Sequence, residues 1–219
     1  MPKEKTTLSL FPLPEVVLFP GMSLPLHIFE DRYKKLISNC LNSDKQFGVV
    51  LLNGDLCAEI GTTALIIDVE KLEDGQMNIV TEGKSRFKIL DIVNEEPYYE
   101  AIVQPYLDSQ KNTDENLKKS IKQIKELSSK ALSLYDEIAE EGLSKSLKLP
   151  DEPDELLFLV AGNLTCSFEE KQNILESRSL KERSKKILTL LKEELEKLEV
   201  LRENKETKKD VIKNGKLKI

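Results

Sequence analysis

Four prolines in nineteen residues, Pro12, Pro14, Pro20 and Pro25 within FPLPEVVLFPGMSLPLHIF (residues 11–29), exclude a helix from the opening of this chain. Each removes a backbone donor and clashes with the preceding turn. The residue before each is pushed toward extended geometry as well. The expected structure is two extended pieces, Glu15 to Phe19 and Ser23 to Phe29, joined by a turn at Pro20-Gly21. Strands so apolar and so interrupted fit the closure seam of a small β-barrel, where a proline-rich edge strand can still bury its side chains.

The segments that follow supply the rest of such a barrel. Phe29, Tyr33, Leu36, Ile37, Cys40 and Leu41 recur at helical spacing and predict a helix over Glu30 to Asn42. Gln46 to Leu52 reads as a short buried strand ending at the Asn53-Gly54 turn. Ala64 to Leu72 and Gln76 to Glu82 flank Glu73-Asp74-Gly75, a hairpin turn whose Asp-Gly pair tolerates positive φ. Strands over Ser85 to Val93 and Tyr98 to Tyr106 complete six or seven strands with one helix, a small closed or half-closed barrel.

The character changes at Leu107, after which only Pro150 and Pro153 interrupt helical sequence. Leu117, Ile121, Ile124, Ala131, Tyr135 and Ile138 trace one amphipathic stripe from Asp114 to Glu140, ended by Gly142. Asp154 to Leu164 repeats the pattern. Capping boxes, Ser167 with Glu170 and Ser179 with Glu182, announce two more helices, the last running from Leu180 to about Asn204. Its Leu188, Leu191, Leu195 and Leu198 are too few for a coiled coil and predict packing within a bundle. The fold class is thus α+β: a β-rich unit over 8–107 and a helical unit over 108–206, with Leu107 to Thr113 as the hinge. A lysine-rich tail, 207–219, is expected to be disordered.

FPLPEVVLFPGMSLPLHIFEDRYKKLI resembles the opening of the Lon protease N-terminal domain, the substrate-binding domain of that family. Three later stretches agree in order: EIGTTALIIDVEKLEDGQMNIVTEGKSRFKIL, PYYEAIVQPY and LVAGNLTCSFEEKQNILES. The likeness runs from about Leu8 to about Leu201, and no ATPase or proteolytic module accompanies it, so the chain resembles the stand-alone form of the domain. The resemblance implies a PUA-like pseudo-barrel followed by a helical bundle. It also implies a non-catalytic protein that recognises unfolded or damaged polypeptides in quality control, with an ATP-dependent protease as partner. The candidate contact residues are Phe19, Pro20 and Met22 at the turn, methionine being flexible and polarizable enough for promiscuous contacts. The competing reading is that all three plug the barrel seam.

Charge argues against nucleic acid. Residues 1–107 carry 10 Lys and Arg against 16 Asp and Glu, while the remainder is balanced, giving the net −6 of the whole chain. Phosphate binding wants clustered cations, so an RNA-binding role, suggested by the PUA-like fold alone, is the weaker alternative. Cys40, Cys57 and Cys166 are odd in number and form no C-x-x-C pair, which points to a reducing compartment and away from a thiolate zinc site. Val16 to Phe29, the longest uncharged run, is too short and too broken to span a membrane, and a cytoplasmic location is expected.

Catalytic signals are sparse. His27, the single histidine, lacks a neighbouring nucleophile pattern and is expected to hydrogen-bond within the barrel seam. Gly83-Lys84-Ser85 imitates the end of a phosphate loop, but the position needing glycine holds Asn78 and both flanks are strand-like. The segment matches instead the EG-x-x-RF turn of the resembled domain. Glu95-Glu96 and Glu140-Glu141 read as solvated charge. A hydrolase built on a Ser-Lys pair or a cysteine is the third alternative, and no cofactor or metal is implied.

Overall fold

The computed structural model describes residues 5–54, 56–109, 114–139 and 149–215. The chain forms β1 (Thr6–Pro14), β2 (Ser23–Ile28), α1 (Asp31–Leu41), β3 (Gln46–Asn53), β4 (Leu56–Cys57), β5 (Ile60–Lys71), β6 (Met77–Asn94) and β7 (Glu100–Pro105). Four helices follow: α2 (Glu115–Ala139), α3 (Pro153–Asn163), α4 (Phe168–Glu176) and α5 (Leu180–Gly215). The α+β class and the strand-then-helix order are those expected. Gly142 and the carboxylates Glu140 and Glu141 lie outside the described residues, as do 110–113 of the expected hinge and 216–219 of the expected tail. Helix α5 itself continues past Asn204 to Gly215.

The strands close on themselves in the order β1, β7, β6, β5, β3 and back to β1, the last contact being parallel and the others antiparallel. The first strand differs from expectation. It is Thr6–Pro14, two of the four prolines lie inside it, and Val16 to Phe19 is irregular chain. Partner exchange explains this. β1 pairs with β7 over Thr6 to Ser9 and with β3 over Leu10 to Pro14. The Leu10 amide donates to the Tyr99 carbonyl (2.8 Å), so nitrogens of that parity face the β7 side. At Pro12 and Pro14 that side has no strand left, and the missing donors cost the ladder nothing.

β6 is a second departure. One strand of 18 residues replaces the two expected on either side of Gly83-Lys84. It pairs with β2 over Met77 to Glu82 and with β7 over Phe87 to Asn94, so the EG-x-x-RF segment is a change of partner and not a turn. The β5–β6 hairpin turns as expected, with Gly75 at φ +79° and the Asp74 carboxylate accepting from the Gln76 amide.

Helix α1 lays Tyr33, Leu36, Ile37 and Cys40 on the barrel, where Tyr33 stacks on Phe11 with ring centroids 3.9 Å apart. The helices pack separately around Ile124, Leu156, Leu157, Ile174, Ile187 and Leu191. Pro153 occupies the first turn of α3, where a missing N–H is harmless. Ser167 and Glu170 form the expected reciprocal cap on α4, and Ser179 Oγ accepts from the Glu182 amide at the start of α5. The helical core is not confined to helices. Phe19 and Ile60 from the β-rich half are buried within it, and Val17, Met22 and Tyr106 pack against it.

Candidate functional site

The three residues singled out as contacts fall at the junction of barrel and bundle. Phe19, Pro20, Gly21 and Met22 form the expected turn, closed by the Met22 amide donating to the Phe19 carbonyl (3.1 Å), with Gly21 at φ +80°. Phe19 has no exposed surface and packs beside Phe158, ring centroids 5.9 Å apart. Met22 is half-buried, packs against both the barrel core and the helical core, and lies against Gly162 of α3. Pro20 is half-buried at the rim of an open cleft that includes Lys84, Tyr106 and Phe158. Phe19 therefore packs and presents nothing to a partner, Met22 joins the two halves, and Pro20 alone borders an open recess.

The EG-x-x-RF segment is what holds that turn. Gly83 exchanges hydrogen bonds with it, its amide donating to Met22 O and its carbonyl accepting from Gly21 N, each 2.8 Å. Arg86 then reaches into the helical half, donating to Leu175 O (2.5 Å) and Ser177 O (2.9 Å) and pairing with Asp108. Arg183 of α5 pairs with the same Asp108 oxygen (2.6 Å) and with Asp154 (3.2 Å), and donates to Ser177 O (2.8 Å). Both guanidiniums lie over the Phe158 ring, 5.3 and 4.3 Å from its centroid. Burial, then the neighbouring Arg183, pull the Arg86 pKa down, and Asp108 pulls it back. The described start of the expected hinge is accordingly pinned: Ser109 bonds Arg178 O through both its amide and its hydroxyl, and Arg178 bonds Leu107 O. None of these partners was legible in sequence, although Arg86 stands in the quoted motif.

His27 is not in the seam. It is exposed on β2, its Nδ1 2.8 Å from Asn78 Oδ1 across the β2–β6 pair, and Asn78 donates in turn to Glu70. Short amphiphilic partners on a solvated sheet face account for it. The thiols are held protonated: burial, then Asp44, push Cys40 up to about 11, and burial raises Cys57 and Cys166. Cys40 donates to Gln46 O (3.2 Å) as a core residue. Among the described residues no group of three His, Cys, Asp or Glu is placed to hold a metal ion, and no helix is long and apolar enough to cross a membrane.

A concavity with mostly apolar walls lies elsewhere, between α2, α3 and α5. It has a volume of about 500 Å³ and is walled by Leu132 and Tyr135 of α2, Leu159 of α3, Leu191 of α5, and Leu149 and Leu164 beside them. Positions 128, 131, 132, 135, 136 and 139 lie three or four residues apart along one face of α2, which is why one helix can supply a whole wall. Besides Asp136 and Asn163, two buried polar groups interrupt the apolar surface. Ser128 is only 6% exposed and its Oγ has no hydrogen-bond partner. Glu194, also 6% exposed, accepts from Tyr135 Oη, Thr165 Oγ1 (3.1 Å) and the Thr165 amide (2.9 Å). Burial, then that carboxylate, push the Tyr135 phenol up. The arrangement is an apolar recess bordered by a buried hydroxyl and a buried, hydrogen-bonded carboxylate.

A family model described as the ATP-dependent protease La (LON) substrate-binding domain matches residues 7–193. The Lon protease of Flavobacterium johnsoniae is 32% identical over 205 residues, covering 89% of this chain and 25% of the relative. That of Cytophaga hutchinsonii is 28% identical over 214 residues, covering 93% and 26%. The chain thus spans about a quarter of the length of these curated relatives. Among solved structures, the Lon N-terminal domain protein from Xanthomonas campestris superposes with a TM-score of 0.64 at 23% identity, covering 84% of this chain and 98% of that one. The N-terminal domain of Mycobacterium avium complex Lon protease gives 0.67 at 17% identity, covering 85% and 98%.

Proposed function

Because the chain belongs to the family of ATP-dependent protease La (LON) substrate-binding domains, we propose that it binds exposed apolar segments of non-native polypeptides without altering them covalently. In this reading it acts in cytoplasmic protein quality control and hands its clients to an ATP-dependent protease. The observation that carries the proposal is the concavity between α2, α3 and α5, because a pocket of about 500 Å³ walled by leucines and a tyrosine accepts one or two large apolar side chains. Such side chains are buried in native proteins and exposed in unfolded ones, so the pocket discriminates by folding state. The protonated thiols support the non-catalytic part of the proposal.

The experiment is a titration of the purified protein against fluorescent carboxymethylated α-lactalbumin, a permanently unfolded client, with native α-lactalbumin beside it. Saturable binding of the unfolded form only, with the client's mass unchanged, is expected. Equal affinity for both forms, no binding to either, or cleavage of the client would overturn the proposal.

A further inference from the structure

The groove carries more information than its apolar walls. Among the described residues that line it, the charged ones are Asp136 and Glu194, both acidic, and Asp136 has a partner of its own. Glu194 is buried, yet its three hydrogen-bond partners, Tyr135 and the amide and hydroxyl of Thr165, are neutral, and no cation pairs with it among the described residues. Three donors converge on a carboxylate that has about four acceptor positions, which fixes Glu194 as an acceptor with one position to spare. Burying a carboxylate against neutral partners alone is costly, and a cation delivered by a ligand relieves that cost. The second polar group, Ser128 Oγ, is a buried donor with nothing to donate to.

Spacing relates the two. Ser128 and Tyr135, which touches Glu194, lie on one face of α2 seven residues apart, about 10 Å along the axis. An extended peptide advances about 3.3 Å per residue, so this distance spans roughly three residues. Between the two points the wall is Ala131 and Leu132. We infer that the groove takes an extended client segment in which a backbone carbonyl accepts from Ser128 Oγ, a lysine or arginine about three residues further on reaches Glu194, and an apolar side chain between them rests on Leu132 and Leu159. This rests on the polypeptide-binding reading above and adds a sequence preference to it: apolar residues with a basic neighbour bind, apolar residues with an acidic neighbour do not. Unfolded segments of the second kind are repelled by the Glu194 carboxylate.

The test uses the full chain and three fluorescein-labelled decapeptides that differ at one position, Leu-Phe-Ser followed by Lys, norleucine or Glu between Gly-Ser flanks. The lysine peptide is expected to bind about tenfold more tightly than the glutamate peptide, the norleucine peptide falling between. Glu194→Gln, checked for native circular dichroism, should bring the three peptides within about twofold of one another. Leu132→Arg, at the groove wall, is the second variant and should weaken the lysine peptide about tenfold while leaving the glutamate peptide unchanged or tighter. Equal binding of the three peptides by the unaltered chain overturns the inference. So does a lysine preference that survives in both variants, or self-association of the chain that Leu132→Arg abolishes. If carboxymethylated α-lactalbumin binds and the peptides do not discriminate, this inference alone fails. If neither binds, the polypeptide-binding reading fails with it.

Discussion

The α-carbon of Gly83 lies so close to the Phe19 backbone that a Cβ built on it would stand 2.3 Å from the Phe19 carbonyl oxygen. β6 and the strap before β2 are held in this approach by two reciprocal hydrogen bonds, so neither backbone can retreat without losing them. Gly83→Ala should therefore destabilise the fold by about 1–3 kcal/mol, the range for overpacking. Urea denaturation followed by far-UV circular dichroism measures it, and a change below about half a kcal/mol would show that the strap yields.

A larger effect is expected at Asp108. Its carboxylate is shared by Arg86 and Arg183, whose side chains are 4% and 0% exposed. Removing it leaves two buried cations facing each other, and breaking such a cluster from one side costs about 3–5 kcal/mol. Asp108→Ala should show that loss in the same denaturation experiment. Replacing all three residues with apolar ones should cost less than the single change, because no buried cation is then stranded.

The pH dependence of stability should bear the mark of Cys40. Its thiol is raised from 9.0 to about 11 in the folded chain, chiefly by burial. Between those values the unfolded chain gives up a proton that the folded chain keeps, so the folded state binds more protons and stability falls as pH rises. The contribution is complete below pH 9 and lost as pH approaches 11. Denaturation midpoints taken across that window should fall more steeply for the unaltered protein than for Cys40→Ala. Parallel curves would remove Cys40 as a cause.

At the start of α4 the reciprocal cap offers a milder test. Ser167 Oγ accepts from the Glu170 amide (3.2 Å) and Glu170 accepts from the Ser167 amide (2.9 Å). Ser167→Ala should cost about 1 kcal/mol. Ser167→Asp should restore most of it, since aspartate caps equally well, and failure of that rescue would assign the loss to packing.

Local rules were readable where a residue's own backbone imposes them. The Pro20-Gly21 turn, the Asp74-Gly75 hairpin, the α1 stripe and the Ser167–Glu170 cap all follow from the chemistry of adjacent residues. The first strand was misplaced because proline is judged without knowing which side its nitrogen faces, and that is decided by where β7 ends. Splitting β6 at Gly83 had the same origin: a glycine demanded by a backbone 64 residues earlier looks like a turn residue. The groove needs three helices at once. Its one trace in sequence is a gap in the α2 stripe, which passes from Ile124 to Ala131 because position 128, buried like its neighbours, is a serine.

Phe19 and Ile60 belong by sequence to the barrel and by packing to the bundle, and Arg86 finds its acceptors there too. Dividing the chain after residue 107 would bare an aromatic ring and an isoleucine to solvent and strand a guanidinium beside them. Neither piece is then expected to remain monodisperse by itself. A single calorimetric peak for the intact chain is the natural corollary, barrel and bundle melting as one unit.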